Sequence, residues 1–187
     1  MSISKYAHEG YGQIELNQVT FRRDGNIEAQ CALGSDFSAK VPAENGMLLA
    51  VDKVNRTVGF PKDGNLPIGV NYTTEHMYDE RANALKDFAL FPGTFLPRIG
   101  FLKTGDTYTT NTICYDTTDF NNDEAVDTAC ETGTLSTTPI FGGACTENGY
   151  TKLTKTKPEF GPVLRLVKKT TMPDGSVGFK FQVISAQ

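Results

Sequence analysis

Tryptophan is absent from this 187-residue chain, and histidine occurs only twice, as His8 and His76. Histidine is the side chain whose ordinary pKa suits acid–base chemistry near neutral pH. Neither histidine lies in an HExxH motif, and the chain contains no GxSxG, GxxxxGKS/T or GxGxxG motif. The sequence therefore predicts a protein that is not an enzyme and holds no cofactor.

Cysteine is also scarce. The four cysteines lie far apart, without the CxxC pairs that chelate zinc or exchange disulfides: Cys31, Cys114, Cys130 and Cys145. We expect buried thiols and no metal site. A disulfide between Cys130 and Cys145 stays open as an alternative if the protein ends up outside a cell.

The acidic residues include a partial calcium-loop pattern. Asp119, Asn121, Asp123 and Asp127 match the first, third, fifth and ninth positions of such a loop. The match then fails, because Glu124 replaces the glycine of the turn and Cys130 replaces the bidentate glutamate. We expect a hydrated acidic loop.

Long apolar runs are missing as well. No run approaches the roughly 18 residues that cross a bilayer, and the first residues lack a basic segment followed by an apolar one. We expect a soluble protein without a membrane partner, made in the cytoplasm without a cleaved secretory signal.

Positive charge is absent from one long segment. Residues 104–151 carry eight acids and no lysine or arginine, whereas residues 152–187 carry seven bases against two acids. The basic residues alternate with strand-forming valine, leucine and threonine, and no nucleic-acid-binding motif accompanies them. This pattern favours a solvated strand face and predicts no direct contact with nucleic acid.

Short apolar segments bounded by turn residues indicate β-structure along most of the chain. Residues 46–52 form a continuous apolar run, typical of a strand buried on both faces. Strands are also predicted at 57–60, 66–72, 95–102 and 107–114, and a closing hairpin joins 163–167 to 177–184 through Met172-Pro-Asp-Gly-Ser176. A single helix is predicted over 75–88, capped by Thr74.

The beginning of the chain predicts an arm and a hairpin. Residues 1–12 have no periodicity, and we expect an arm that is ordered only by a partner, so that its removal leaves the melting temperature unchanged. A three-residue loop, Arg23-Asp-Gly25, should then place Phe21 opposite Ile27, with Gly25 left-handed and a bulge or bend near Asn17-Gln18.

Together these elements predict a mainly β protein: a small β-barrel or sandwich with one short helix, an N-terminal arm plus hairpin and an acidic loop insertion. The predicted boundaries are 1–39 for the arm and hairpin and 40–187 for the β-rich domain, with the acidic insertion at about 116–150.

The succession GMLLAVD, LPIGVNYTTEHMYDE and LPRIGFLKTGDTYTTNTICYD, followed by a basic hairpin, resembles small virion proteins of tailed bacteriophages, above all capsid decoration (cement) proteins. The resemblance covers about residues 40–115. It implies a homo-oligomer, commonly a trimer, on the exterior of the virion, where it binds the major capsid protein and stabilises the shell. The resemblance assigns no individual site residue, and we expect the capsid-binding residues to lie in the arm and first hairpin: Tyr6, Tyr11, Phe21, Arg22 and Arg23.

Two other functions stay open at this point. A tail-tube or other virion structural protein would also be β-rich. A carbohydrate- or host-surface-binding module would use Tyr108, Tyr115 and Phe120 beside the acidic loop.

Overall fold

The computed structural model describes residues 2–73 and 85–186. The protein is mainly β, with 37% of the chain in strands and 12% in helices. Three short helices are described: α1 Thr20–Asp24, α2 Asp123–Ala129 and α3 Thr132–Thr137. The strands are β1 Ile3–Lys5, β2 Ile14–Gln18, β3 Ile27–Glu28, β4 Ala32–Leu33, β5 Leu48–Asp52, β6 Thr57–Gly59, β7 Ile68–Asn71, β8 Ile99–Gly100, β9 Thr107–Thr110, β10 Ile113–Asp116, β11 Phe141–Ala144, β12 Thr151–Thr154, β13 Val163–Thr171 and β14 Val177–Ser185.

These strands form two mixed sheets. The eight-stranded sheet has the order β1-β10-β12-β11-β13-β14-β9-β2, and the six-stranded sheet has the order β3-β8-β7-β5-β6-β4. The parallel pairs are β10 with β12 and β4 with β6. The arrangement is sandwich-like, and the strands within residues 2–73 and 85–186 form no closed barrel.

The eight-stranded sheet is strongly curled. Strands β9 and β10 occupy its seventh and second positions, yet only Asn111 and Thr112 join them. Five strand spacings in a flat sheet would cover roughly 24 Å, whereas the link reaches only about 10 Å. Consistent with curling, Tyr6 follows the edge strand β1 but its ring lies 5.0 Å from that of Phe179 on β14.

Strand β5 is buried on both faces, as its apolar run predicts. Leu48 and Ala50 join the larger apolar cluster, which also contains Leu164, Phe179 and other residues of the eight-stranded sheet. Leu49 and Val51 point the other way, into a second cluster with Cys114 and Tyr150. The closing hairpin is also confirmed: β13 and β14 pair antiparallel up to Thr171 and Val177.

The first predicted hairpin is wrong. Its proposed turn is the helix α1, and its two proposed strands lie in different sheets, since β2 pairs with β9 and β3 with β8. Gly25 is left-handed as expected (φ 68°), but as the residue that ends α1. Phe21 is fully buried, 4.9 Å from the Tyr72 ring between centroids. A register shift between Leu16 and Gln18 confirms the predicted bulge.

The arm also differs from its prediction, because residues 3–5 are already ordered within the chain as β1. They pair antiparallel with β10, from Ile3 opposite Asp116 to Lys5 opposite Cys114. Every strand in residues 1–39 has its partner in residues 40–187.

The acidic segment is not a loop insertion. It contains α2 and α3, and its strand β11 lies between β12 and β13 inside the eight-stranded sheet. Apolar residues scattered among the acids join the larger core cluster: Phe120, Val126, Cys130, Leu135 and Ile140. Their burial makes this segment part of the domain.

The predicted helix at 75–88 lies mostly outside the described residues, as do its cap Thr74 and His76. Its described end, Leu85–Asp87, is one turn of 3-10 helix. Within residues 2–73 and 85–186, no helix has the length and apolar character needed to cross a membrane.

Candidate partner-binding surface

The five candidate capsid-binding residues do not form one surface. Tyr6 is 7% exposed and Phe21 is 0% exposed, so neither ring is presented to a partner in this fold. Tyr11 is half-buried, with its ring edge-on to Phe91 at 6.3 Å. Arg22 and Arg23 are exposed on α1. Only the two arginines are fully displayed.

Arg23 is part of a small ion-pair network. Its Nε donates to Asp24 Oδ1 at 2.8 Å, and Lys103 Nζ lies 2.7 Å from Asp24 Oδ2. The hydrogen bonds from Arg23 and then Lys103 lower the pKa of Asp24 to about 2. An exposed network of this kind contributes little to stability because solvent screens it.

Carboxylates of α2 hold the arm in place. The Tyr6 hydroxyl donates to Asp127 Oδ1 at 2.8 Å, and the backbone N–H of Ala7 donates to Asp123 Oδ2 at 3.0 Å. The two acids are one helical turn apart, so they project from the same helix face. Burial, reinforced by Asp127, raises the pKa of Tyr6.

A second anchor lies further along the arm. Glu44, which is 6% exposed, accepts hydrogen bonds at 2.6 Å from the Tyr150 hydroxyl and at 2.6 Å from the backbone N–H of Gly12. Lys5 Nζ in turn donates to the Tyr150 hydroxyl at 3.0 Å. Burial is the main cause of the raised pKa of Tyr150, with Glu44 second. The arm is therefore fixed at both ends by acids that accept its hydrogen bonds.

The residues of two alternative sites, one for carbohydrate and one for calcium, are not available in this fold. Tyr108, Tyr115 and Phe120 are 0%, 3% and 2% exposed, so none presents a ring on which a sugar could stack. The acids of the calcium-like pattern serve other partners, and in the described part of the chain no three or more His, Cys, Asp or Glu residues are grouped to hold a metal ion.

The described cysteines are free, and the close thiol pair is Cys114 with Cys145. Cys114 is 0% and Cys145 2% exposed. A hydrogen bond from the Cys114 thiol, helped by the backbone N–H groups of Glu147 and Asn148, lowers the pKa of Cys145 to about 7 against the opposing effect of burial. Burial raises the pKa of Cys114. Of the two thiols, Cys145 is therefore the one whose pKa is lowered.

A different surface gathers unpaired positive charge. Arg165 and Lys168 on β13 are exposed and Lys180 on β14 is half-exposed, all three on the solvent side of the closing hairpin. Lys168 lies directly opposite Lys180, and Arg165 lies opposite Gln182. Val167 and Ile184, which are 46% and 37% exposed, add apolar area beside them. We name these five residues the basic sheet face.

The charges of the basic sheet face are not balanced by acids in the described part of the chain. Among residues 2–73 and 85–186, none of its three cations lies within ion-pair distance of an acid. Lys180 on β14 lies opposite Thr109 on β9, and Thr109 lies opposite Glu15 on β2, so a threonine separates the lysine from this acid. Like charges directly opposite on a sheet destabilise it by roughly 0.2–1 kcal/mol.

Comparison of the chain with protein-family models, with curated proteins and with solved structures finds no match. The interleaved lysines of residues 152–187 predicted a solvated strand face, and the exposed positions of Arg165 and Lys168 agree with it. The sequence did not reveal that Lys168 faces Lys180, because a bulge between Leu166 and Lys168 sets that register.

Proposed function

We propose that this protein is a non-catalytic decoration protein of a tailed-bacteriophage head, which binds the outer surface of the shell through its basic sheet face. The proposal carries over the resemblance of residues 40–115 and moves the shell contact from the arm to the closing hairpin. Its partner is the major capsid protein, and it is located on the exterior of the virion. The protein is a homo-oligomer, for which we propose a trimer.

The observation that supports this function is the opposition of Lys168 and Lys180, next to a β-bulge on β13 and on the same side of the hairpin as Arg165. A fold under selection for stability alone gains nothing from two facing lysines. An acidic partner surface would offset their repulsion and would also cover Val167 and Ile184. Charge complementarity of this kind sets orientation and association rate.

A symmetric shell makes modest contacts sufficient. If several copies of the basic sheet face on one oligomer engage neighbouring shell subunits, the later contacts are intramolecular and the combined affinity rises by orders of magnitude. Two nine-residue strands, β13 and β14, present the charges on a rigid surface, so little ordering accompanies binding.

Charge reversal tests the proposal. We expect the Lys168→Glu/Lys180→Glu variant to bind expanded heads that lack this protein at least tenfold more weakly than wild type. The control is Lys40→Glu/Lys157→Glu, which changes the net charge equally at two exposed positions away from this face. Equal occupancy of heads by the two variants would refute the role of the basic sheet face.

The position of the protein in purified particles tests the function itself. Decoration predicts a near-stoichiometric ratio to the shell subunit and density on the head. Density in rings along the tail would instead identify a tail-tube component, and binding to duplex DNA without binding to heads would indicate a nucleic-acid-binding protein.

The same face gives a prediction about stability. Lys168→Thr removes one member of the facing pair and places a β-branched residue on the strand, so we expect the free energy of unfolding to rise by roughly 0.2–1 kcal/mol at low salt. The gain should shrink in about 1 M salt, where the Debye length is only about 3 Å. Urea unfolding at both salt concentrations measures it, and a loss of stability at low salt would contradict the reasoning.

A further inference from the structure

The loop between β5 and β6, residues 53–56, is a second exposed feature. Asp52 and Thr57 pair on either side of it. The Asp52 carboxylate accepts the backbone N–H groups of Val54 at 2.9 Å and Asn55 at 3.0 Å, and the Asn55 side chain at 2.6 Å. These hydrogen bonds fix the loop conformation, together with that from the backbone N–H of Ala32 to the carbonyl of Arg56 at 3.0 Å.

Arg56 has an unfavourable backbone conformation within this loop. Its φ is 54°, and among residues 2–73 and 85–186 every other residue with positive φ is one of eight glycines. A residue with a side chain is disfavoured in this region, which glycine enters without steric cost. At the other positions with positive φ the chain has glycine, which suffices for the turn. The arginine side chain at position 56 therefore indicates a function in addition to forming the turn.

The residues around Arg56 fit a docking tip. Val54 is 91% exposed, the highest value among the exposed large apolar residues. Lys53 pairs with Glu28 at 3.5 Å, whereas Arg56 forms no ion pair among the described residues. A shallow groove of about 460 Å³ beside the loop is lined by Ile27, Glu28, Gln30, Cys31, Lys53 and Arg56. An apolar apex and an unpaired guanidinium thus share one rigid loop.

We propose that residues 53–56 form a second shell-binding contact, in which Val54 enters an apolar depression of the capsid protein and Arg56 binds a carboxylate at its rim. This inference rests on the proposed function and adds a contact that is separate from the basic sheet face. A protein surface fits the loop better than a polyanion, because an exposed valine gains nothing from a phosphate backbone and Glu28 in the groove repels one. Arginine is also enriched at the residues that dominate binding energy in protein interfaces.

The test separates binding from folding. Arg56→Gly relieves the backbone strain, so we expect its melting temperature to equal or exceed that of wild type by about 2 °C. The same variant should bind expanded heads at least tenfold more weakly. Arg56→Lys keeps the charge and the strain and should retain most of the binding, and Val54→Ser should lose it as Arg56→Gly does.

Each outcome decides the proposal. Weakened binding by a variant at least as stable as wild type supports it. If wild type binds heads and the basic-sheet-face reversal abolishes binding, but Arg56→Gly binds like wild type, the loop contact is refuted and the proposed function stands. If wild type does not bind heads at all, both are refuted.

Discussion

Removal of the Tyr6 side chain should destabilise the whole domain. The ring is 7% exposed, lies edge-on to Phe179 at 5.0 Å, and its hydroxyl donates to Asp127 at 2.8 Å. Truncation of a buried aromatic residue to alanine costs about 3–5 kcal/mol. For a chain of this size, about 3 kcal/mol lowers the melting temperature by roughly 6–12 °C.

Two matched variants separate the contributions. Tyr6→Phe keeps the ring and removes only the hydroxyl, and since Asp127 also pairs with Lys169 at 2.7 Å, we expect a loss of about 1 kcal/mol. Tyr11→Ala changes the same residue type in the same arm, but this ring is half-buried, so the loss should be well below that of Tyr6→Ala.

Urea unfolding followed by circular dichroism measures all three variants, with the slope of the transition as a check that the unfolded state is unchanged. Deletion of residues 2–12 should cost at least as much as Tyr6→Ala, contrary to the expectation from the sequence. If Tyr6→Ala unfolds at the same urea concentration as Tyr11→Ala, the deeper burial of the Tyr6 ring makes no difference to stability and the reasoning from burial fails.

Two further predictions follow from single contacts. A Cβ at Gly100 would lie 2.5 Å from the Phe21 ring, so Gly100→Ala should lower the free energy of unfolding by roughly 1–3 kcal/mol. The control is Gly133→Ala, which lies within α3 with open space around it and should be neutral or stabilising. Thermal unfolding compares the two variants, and equal melting temperatures would contradict the packing argument. Because the folded-state pKa of Cys145, about 7, lies below its ordinary 9.0, the folded state favours the thiolate, and its stability relative to Cys145→Ser should rise between pH 7 and pH 9 and be lost below pH 7. Urea midpoints across this range measure the difference, and a parallel pH dependence of the two proteins would refute it.

Elements with strong local signals were predictable from the sequence. The apolar run of β5 requires burial on both sides, and Pro-Asp-Gly between two alternating segments specifies the closing hairpin whatever surrounds it. In both cases the local preference and the tertiary contacts agree.

The first hairpin failed because its turn signal is ambiguous. A left-handed glycine after Arg23-Asp24 fits a hairpin loop and equally fits the end of a one-turn helix. Tertiary packing decided between them, since α1 places Phe21 against Tyr72 and Gly100.

The acidic segment failed for a different reason. Composition suggested a solvated loop, yet Val126 and Cys130 are four residues apart on the buried side of α2, while Asp123 and Asp127 on the same helix bind the arm. The basic sheet face depends on the bulge beside Lys168, and the loop at residues 53–56 depends on the backbone angle of Arg56. Neither feature is encoded in a pattern of residue types.

The two edges of the eight-stranded sheet bear on how the chain acquires its structure. Both β1 and β2 come from the first 18 residues, but their partners β10 and β9 are synthesised about a hundred residues later, and the Gln13–Asn111 hydrogen bond joins residues 98 positions apart. The entropy of closing such a long loop is lost before the contacts between its ends can stabilise the fold, and this order slows folding. Strands β1 and β2 therefore cannot pair until residues 107–116 have been synthesised, so both edges of the eight-stranded sheet form well after the segments that supply them.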